Sequence, residues 1–183
     1  MKKIYVIRHC EAKGQPSGSS LTDKGFEQAK YLVDFFRHTK IDRMIVSPFL
    51  RAVQSVQPLS EEREIKIEMD ERLSERILST KDLPDWYEKL RETFNNLDVK
   101  FEGGESSQEA MNRIVSVAEE VNESENTIIV SHGNIITLLL KYYHNEFGFE
   151  DWKNLSNPDV FQINWTENGV EIKRVWKEDK PSN

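Results

Sequence analysis

A single cysteine in 183 residues, Cys10, rules out an intrachain disulfide and any zinc site built from several thiolates. A chain without cystines suits a reducing compartment, and a cytoplasmic location is expected. Long apolar runs are missing as well. The longest, Ile135-Ile136 and Leu138-Leu139-Leu140 on either side of Thr137, falls far short of the roughly 20 residues a membrane helix needs. Lys2-Lys3 precedes the short run Ile4-Tyr5-Val6-Ile7, but Arg8 cuts that run off before it reaches the length of an export signal's apolar region. Positive charge is in deficit, with 25 Lys plus Arg against 32 Asp plus Glu and a net charge of −7. Generic adhesion to nucleic acid or to an anionic membrane is therefore not expected, and any anion bound here must be drawn to a local cluster of basic side chains. The sequence has no Walker spacing ending in Lys-Ser/Thr, no Asp-x-Asp pair and no His-x-x-x-His pair. No metal or organic cofactor is expected.

What is present is an alternation of strand and helix. The runs Ile4-Tyr5-Val6-Ile7 and Ile128-Ile129-Val130 predict two buried strands, and each is followed by a histidine: Arg8-His9-Cys10-Glu11 after the first, Ser131-His132-Gly133-Asn134 after the second. Open α/β sheets bind ligands outside the carboxyl ends of their strands, which gives both imidazoles a functional address. A loop of small residues at 14–20 leads to a helix of about 18 residues capped by Thr22, with Phe26, Ala29, Leu32, Val33 and Phe36 on its inner face. Met44-Ile45-Val46 reads as a short strand, and Ser47-Pro48 as the cap and first residue of the next helix. Ile65, Ile67 and Met69 alternate with charged residues as a half-exposed strand does.

Segment 70–105 breaks the alternation and reads as an irregular helical insertion over the sheet's edge, with a helix near 82–95. Ser106 with Glu109 is a capping-box signature opening a helix, and after the strand that ends at His132 another helix is expected through Leu140 and Tyr143. Asn168-Gly169 joins two strand-like stretches, 160–165 and 170–176, as a hairpin. The expected product is one α/β domain over 1–183. It is a three-layer sandwich whose mostly parallel central sheet carries helices on both faces and an antiparallel hairpin at its C-terminal end.

Six spaced elements carry a family resemblance. They are Arg8-His9-Cys10-Glu11, Leu21-Thr22-x-x-Gly25-x-x-Gln28-Ala29, Ser47-Pro48-x-x-Arg51-Ala52-x-Gln54-Ser55, Leu73-Ser74-Glu75, Gly104-Glu105-Ser106 and Val130-Ser131-His132-Gly133. In this order they resemble the histidine phosphatase superfamily, which includes cofactor-dependent phosphoglycerate mutases and many small phosphatases. The resemblance implies a metal-independent phosphomonoesterase acting through a phosphohistidine. Its substrate would be a small phosphorylated metabolite, with neither nucleic acid nor membrane as partner. A homodimer stays open, since tryptophans in the tail would pack either at such an interface or against the sheet.

The chemistry fits those residue types. A phosphoryl group in a loose transition state carries charge on its equatorial oxygens, so the work is positioning and electrostatic stabilisation. Arg8 and Arg51 offer guanidinium forks for those oxygens. His9 is the expected nucleophile, attacking through one ring nitrogen while the other gives its proton to a backbone carbonyl. His132 and the Gly133 amide at a helix start are expected donors to the transferring group. Glu75 resembles the acid of the family's carboxyl-bearing loop and would protonate the leaving alkoxide. Glu11 and Glu105 are the competing carboxylates, and Gln15 stands where the family often contacts substrate.

Cysteine phosphatases return an arginine shortly after the nucleophile, yet no arginine lies between Arg8 and Arg37, which disfavours Cys10 in that role. Cys10 stands where the family usually has glycine, and Ala12 replaces a common hydroxyl residue. Oxidation of Cys10 is expected to lower activity by crowding the site. Two further readings remain beside hydrolysis: phosphoglycerate mutase-type transfer, which the short 13–20 loop disfavours, and a non-catalytic regulator that binds a phosphoanion.

Overall fold

In the computed structural model, which describes residues 1–177, six strands form one sheet in the order β3-β2-β4-β1-β5-β6. The strands are β1 (Lys3–Arg8), β2 (Arg43–Val46), β3 (Ile67–Met69), β4 (Thr127–Ser131), β5 (Asp159–Thr166) and β6 (Gly169–Arg174). The first four neighbours run parallel, whereas β5 is antiparallel to β1 and β6 to β5. Helices α1 (Asp23–Phe35), α2 (Leu50–Arg63), α3 (Trp86–Asn95), α4 (Ser107–Glu120), α5 (Gly133–Tyr143) and α6 (Phe149–Lys153) complete the fold. No helix among the described residues is long and apolar enough to cross a membrane.

Strand β4 lies between β1 and β2 with helices on both sides, so all five of its residues are buried and its sequence runs apolar instead of alternating. Successive residues still serve different layers. Ile4, Val6, Ile45 and Ile129 pack with Leu90, Phe94, Ile114, Ile135 and Phe149 from α3 to α6. Ile7, Met44, Val46, Ile128 and Val130 pack with Ala29, Leu32, Val56 and Leu59 from α1 and α2. The expected three-layer α/β sandwich with its C-terminal hairpin is the observed architecture.

Local differences have physical reasons. The 70–105 segment does not merely cover an edge: Leu90 and Phe94 of α3 enter the core, and Phe94 meets Phe149 of α6 at 6.3 Å between ring centroids. Helix α1 has 13 residues, capped by Thr22 as expected, and closes at Phe36, whose N–H reaches Asp34 O and Leu32 O. Its inner face begins one residue earlier than the apolar pattern suggests, with Gly25 buried and Phe26 40% exposed. Ser47 does not cap α2, which starts at Leu50 after Phe49 with no side-chain cap. The final strand ends at Arg174, and Trp176 folds back against Tyr31 and Phe35.

Gly25 sits against the loop that follows β1. A Cβ there would stand 2.1 Å from the carbonyl oxygen of Glu11, which accepts the Thr22 N–H at 3.0 Å. Gly25→Ala must therefore separate α1 from that loop, at a cost of about 1–3 kcal/mol. Urea denaturation should show a lower midpoint with an unchanged slope; an unchanged midpoint would mean that loop and helix part freely.

Candidate active site

Arg8 pairs with Ser131, and Val46 with Val130, so β1, β4 and β2 end side by side. The first residue past each strand is His9, His132 and Ser47 respectively. The His9 N–H donates to Ser131 O at 3.2 Å, and the two imidazole centroids lie 5.2 Å apart.

The tautomer of His9 follows from its partners. Its Nδ1 stands 2.7 Å from the carbonyl oxygen of Cys10, which can only accept, so Nδ1 carries the proton. Nε2 then holds a lone pair, and Arg51 Nε donates to it at 3.3 Å. Burial lowers the His9 pKa to about 4; the Cys10 hydrogen bond opposes this shift, while the charges of Arg8 and Arg51 reinforce it. The ring is uncharged at neutral pH. Asn157 Nδ2 holds its main chain through His9 O at 3.0 Å.

Arg51, in the first turn of α2, is almost fully buried, and its Nη1 donates to Gln15 O and Pro16 O at 3.0 and 2.9 Å. The guanidinium thereby pins the loop over the site. Arg8 Nη1 reaches Leu155 O and Ser156 O at 3.4 Å, while its Nε is buried with no partner among the described residues. Gly133 makes room for it, since a Cβ there would stand 3.1 Å from Arg8 Cζ, Nε and Nη2. Burial lowers both arginine pKa values, and the charge of Glu75 opposes the shift in each.

His132 Nε2 lies 2.7 Å from Ser47 Oγ, which also accepts the Phe49 N–H at 3.3 Å. If the hydroxyl gives its proton to Nε2, the imidazole proton sits on Nδ1, which is buried and has no partner among the described residues. Burial, then the charges of His9, Arg51 and Arg8, hold the His132 pKa well below the usual histidine value. Ser47 is thus a positioning group for His132, which explains why it is not a helix cap.

Glu75 closes the site from the 70–105 segment. Its Oε1 accepts from Arg76 N at 2.7 Å and Ile135 N at 3.1 Å, and Oε2 from Asn134 N at 3.1 Å. The carboxylate therefore caps α5, whose own N-cap residue His132 makes no side-chain cap. Of the four lone-pair sites on a carboxylate, one remains, on Oε2. Arg113, which no motif marked, holds the Glu75 loop through Arg72 O, Ser74 O and Glu75 O, and Glu105 grips Arg113 at 2.9 and 3.0 Å.

The sequence model of the histidine phosphatase superfamily (branch 1) matches residues 4–178. The chain belongs to this family. A relative, the adenosylcobalamin/alpha-ribazole phosphatase of Salmonella typhimurium, is 24% identical over 156 residues, covering 75% of this chain and 77% of its own. Phosphoserine phosphatase 1 of Hydrogenobacter thermophilus is 26% identical over 150 residues, covering 72% and 71%. Among solved structures, Bacillus stearothermophilus YhfR superposes with a TM-score of 0.76 at 21% identity, covering 95% of this chain and 96% of its own.

Several side chains of this histidine phosphatase superfamily member stand differently from expectation. Cys10 points into the core with Ile7 and Leu21, and burial raises its thiol pKa to about 12. Burial and the small thiolate fraction disfavour the oxidation expected to crowd the site. The Cys10 side chain is tolerated because it faces α1 and α2, while its N–H donates to Ser55 Oγ at 2.8 Å. Gln15 is exposed and meets the site only through its carbonyl. Glu11 turns to α1, accepting from Thr22 Oγ1 at 3.0 Å and pairing with Lys24 at 3.8 Å. Glu105 is engaged by Arg113, which leaves Glu75 as the carboxyl next to both arginine charges.

The depressed histidines link stability to pH. Between pH 4 and 6.5 the unfolded chain binds more protons at His9 than the folded one, so stability rises with pH across this window and falls as pH drops through it. His9→Gln should flatten that rise by on the order of 3 kcal/mol. Urea unfolding at a series of pH values measures this, and parallel curves for the two proteins would mean that folded His9 titrates normally.

Proposed function

We propose that the protein hydrolyses small phosphomonoesters through a phosphohistidine on His9 Nε2. The observation that carries this reading is a set of buried groups lacking the same partner. Arg8 Nε has no acceptor among the described residues, and with Ser47 donating to His132 Nε2 neither does the Nδ1–H of His132, next to an uncharged imidazole whose lone pair is the reactive one. Buried donors without acceptors are destabilising, and a phosphoryl group supplies oxygens for them.

In the first step the Nε2 lone pair forms a bond to phosphorus while the ester P–O bond breaks, its electrons leaving on the alkoxide. Glu75 gives that oxygen a proton from Oε2, taken up there from the incoming phosphomonoester monoanion. In the second step Glu75 takes a proton from water, the hydroxyl oxygen bonds to phosphorus, and the N–P electrons return to Nε2. Arg8, Arg51 and His132 stabilise the equatorial oxygens throughout. The guanidinium forks supply the positive charge that such chemistry elsewhere draws from metal ions, so turnover should persist in excess chelator. Water as the acceptor, in preference to a retained sugar acid, is supported by the phosphatase relatives, named for phosphoserine and alpha-ribazole.

His9→Ala should abolish turnover of every ester. Glu75→Gln should lower kcat on alkyl phosphates by about 10²–10⁴-fold. On p-nitrophenyl phosphate, whose leaving group needs no proton, the same variant should release a burst of nitrophenolate and then stall as phosphoenzyme. Mass spectrometry of the stalled protein should find one PO₃ unit on His9. An adduct on another side chain, or none, overturns the mechanism.

A further inference from the structure

A cavity of about 800 Å³ opens beside Glu75, far larger than a phosphate requires and within the roughly 300–1,000 Å³ of small-molecule sites. It continues from the candidate active site through two shared residues. Glu75 lines it, and so does Phe49, whose ring lies 4.8 Å from that of His132 and 5.0 Å below Arg51 Cζ. An alcohol leaving a phosphoryl group on His9 would depart past Glu75 into this space.

Most of the surface that its walls present is apolar. Pro48, Phe49, Leu50, Val53, Met69 and Ile77 contribute apolar surface. Three of these are large side chains left open to solvent: Leu50 is 39% exposed, Met69 66% and Ile77 51%. Single exposed apolar residues are ordinary, but these come from the start of α2, the end of β3 and the loop before α3, and converge on one mouth.

Charge at the walls is equally one-sided. Arg113 is the only basic residue among the described residues lining the cavity, and all five of its N–H donors are taken: Nε and one Nη2 proton by Glu105, the other Nη2 proton by Glu75 O, and Nη1 by Arg72 O and Ser74 O. Glu71, on the same wall, has no ion pair among the described residues. A carboxylate or second phosphate placed here would find no free cationic donor, only the hydroxyls of Ser17 and Ser74, and would face Glu71.

We infer that this cavity is a leaving-group subsite selecting phosphate esters of apolar alcohols that carry no second anionic group. The inference rests on the proposed ester hydrolysis and names its substrate class. Sugar-acid phosphates, sugar bisphosphates and phosphorylated amino acids all bring an anion that the walls do not serve.

Two esters with the same reacting bond test it: 2-phenylethyl phosphate and its para-carboxylate analogue. The first should have a kcat/KM at least about tenfold higher, the difference residing in KM. Glu71→Lys should narrow that ratio by about tenfold by lowering KM for the carboxylated ester, and Met69→Asp should raise KM for 2-phenylethyl phosphate. Equal KM values for the two esters, or a ratio unmoved by Glu71→Lys, would overturn the inference while leaving ester hydrolysis intact. Absence of turnover on both esters and of any phosphohistidine would remove the hydrolysis reading and the inference together.

Discussion

The hydrogen bond from His9 N–H to Ser131 O closes the parallel ladder between β1 and β4, and the positions of the other site residues are measured from it. Register in such a ladder is set by packing, because a slip of one residue moves every side chain to the opposite face. Here both faces are buried, with Ile4, Val6 and Ile129 committed to one core and Ile7, Ile128 and Val130 to the other. A slip would place side chains fitted to one helical layer against the other. The two cores therefore hold Arg8 opposite Ser131, and with it His9 next to His132, without any direct bond between the imidazoles.

Within this frame the electrostatics run against the composition. An acidic protein buries two guanidinium groups, each with a pKa lowered by desolvation, at one end of its sheet. Glu75 lies close enough to offset both, yet its oxygens are already committed to the amides that open α5, so it neutralises a helix terminus as much as an arginine. His9 and His132 contribute no charge at neutral pH, because burial and the neighbouring arginines keep both rings unprotonated. The site is left positive and short of acceptors, a state that an anion with several oxygens relieves.

The parts of this arrangement legible in the sequence were those with local causes. Apolar runs ending in His9 and His132, the Thr22 cap, the Ser106 and Glu109 capping box and the Asn168-Gly169 turn each depend on residues adjacent in the chain. What stayed hidden depends on distant neighbours. Phe26 looked like core because it is apolar, whereas Gly25 takes the inward position only because the Glu11 carbonyl comes so close. Ser47 before a proline has the form of a cap until His132, 85 residues on, turns out to need its hydroxyl. Arg113 and Asn157 carry no signature at all, since each acts on main-chain carbonyls that the fold brings to it. Cys10 was legible as a departure from the family pattern, but not its direction, which is fixed by which core its side chain enters.

The fixing of Glu75 gives the proposed reaction its direction. Arg113 binds the carbonyls of Arg72, Ser74 and Glu75, and Glu105 binds Arg113 and also accepts from Ile77 N at 3.1 Å, so the acid's own backbone is held at both ends. The carboxyl group is then saturated on three of four lone-pair sites by amides, two of which belong to the first turn of α5. A general acid on a mobile loop would reach many oxygens weakly. Glu75, the proposed acid, has a single open site on Oε2, and it borders the apolar cavity on one side and the arginine pair on the other. In the proposed reaction, proton delivery and leaving-group recognition would thus be set by the same few hydrogen bonds, and a substrate whose alcohol does not suit the cavity would bring its ester oxygen to Glu75 poorly even with its phosphoryl group well bound.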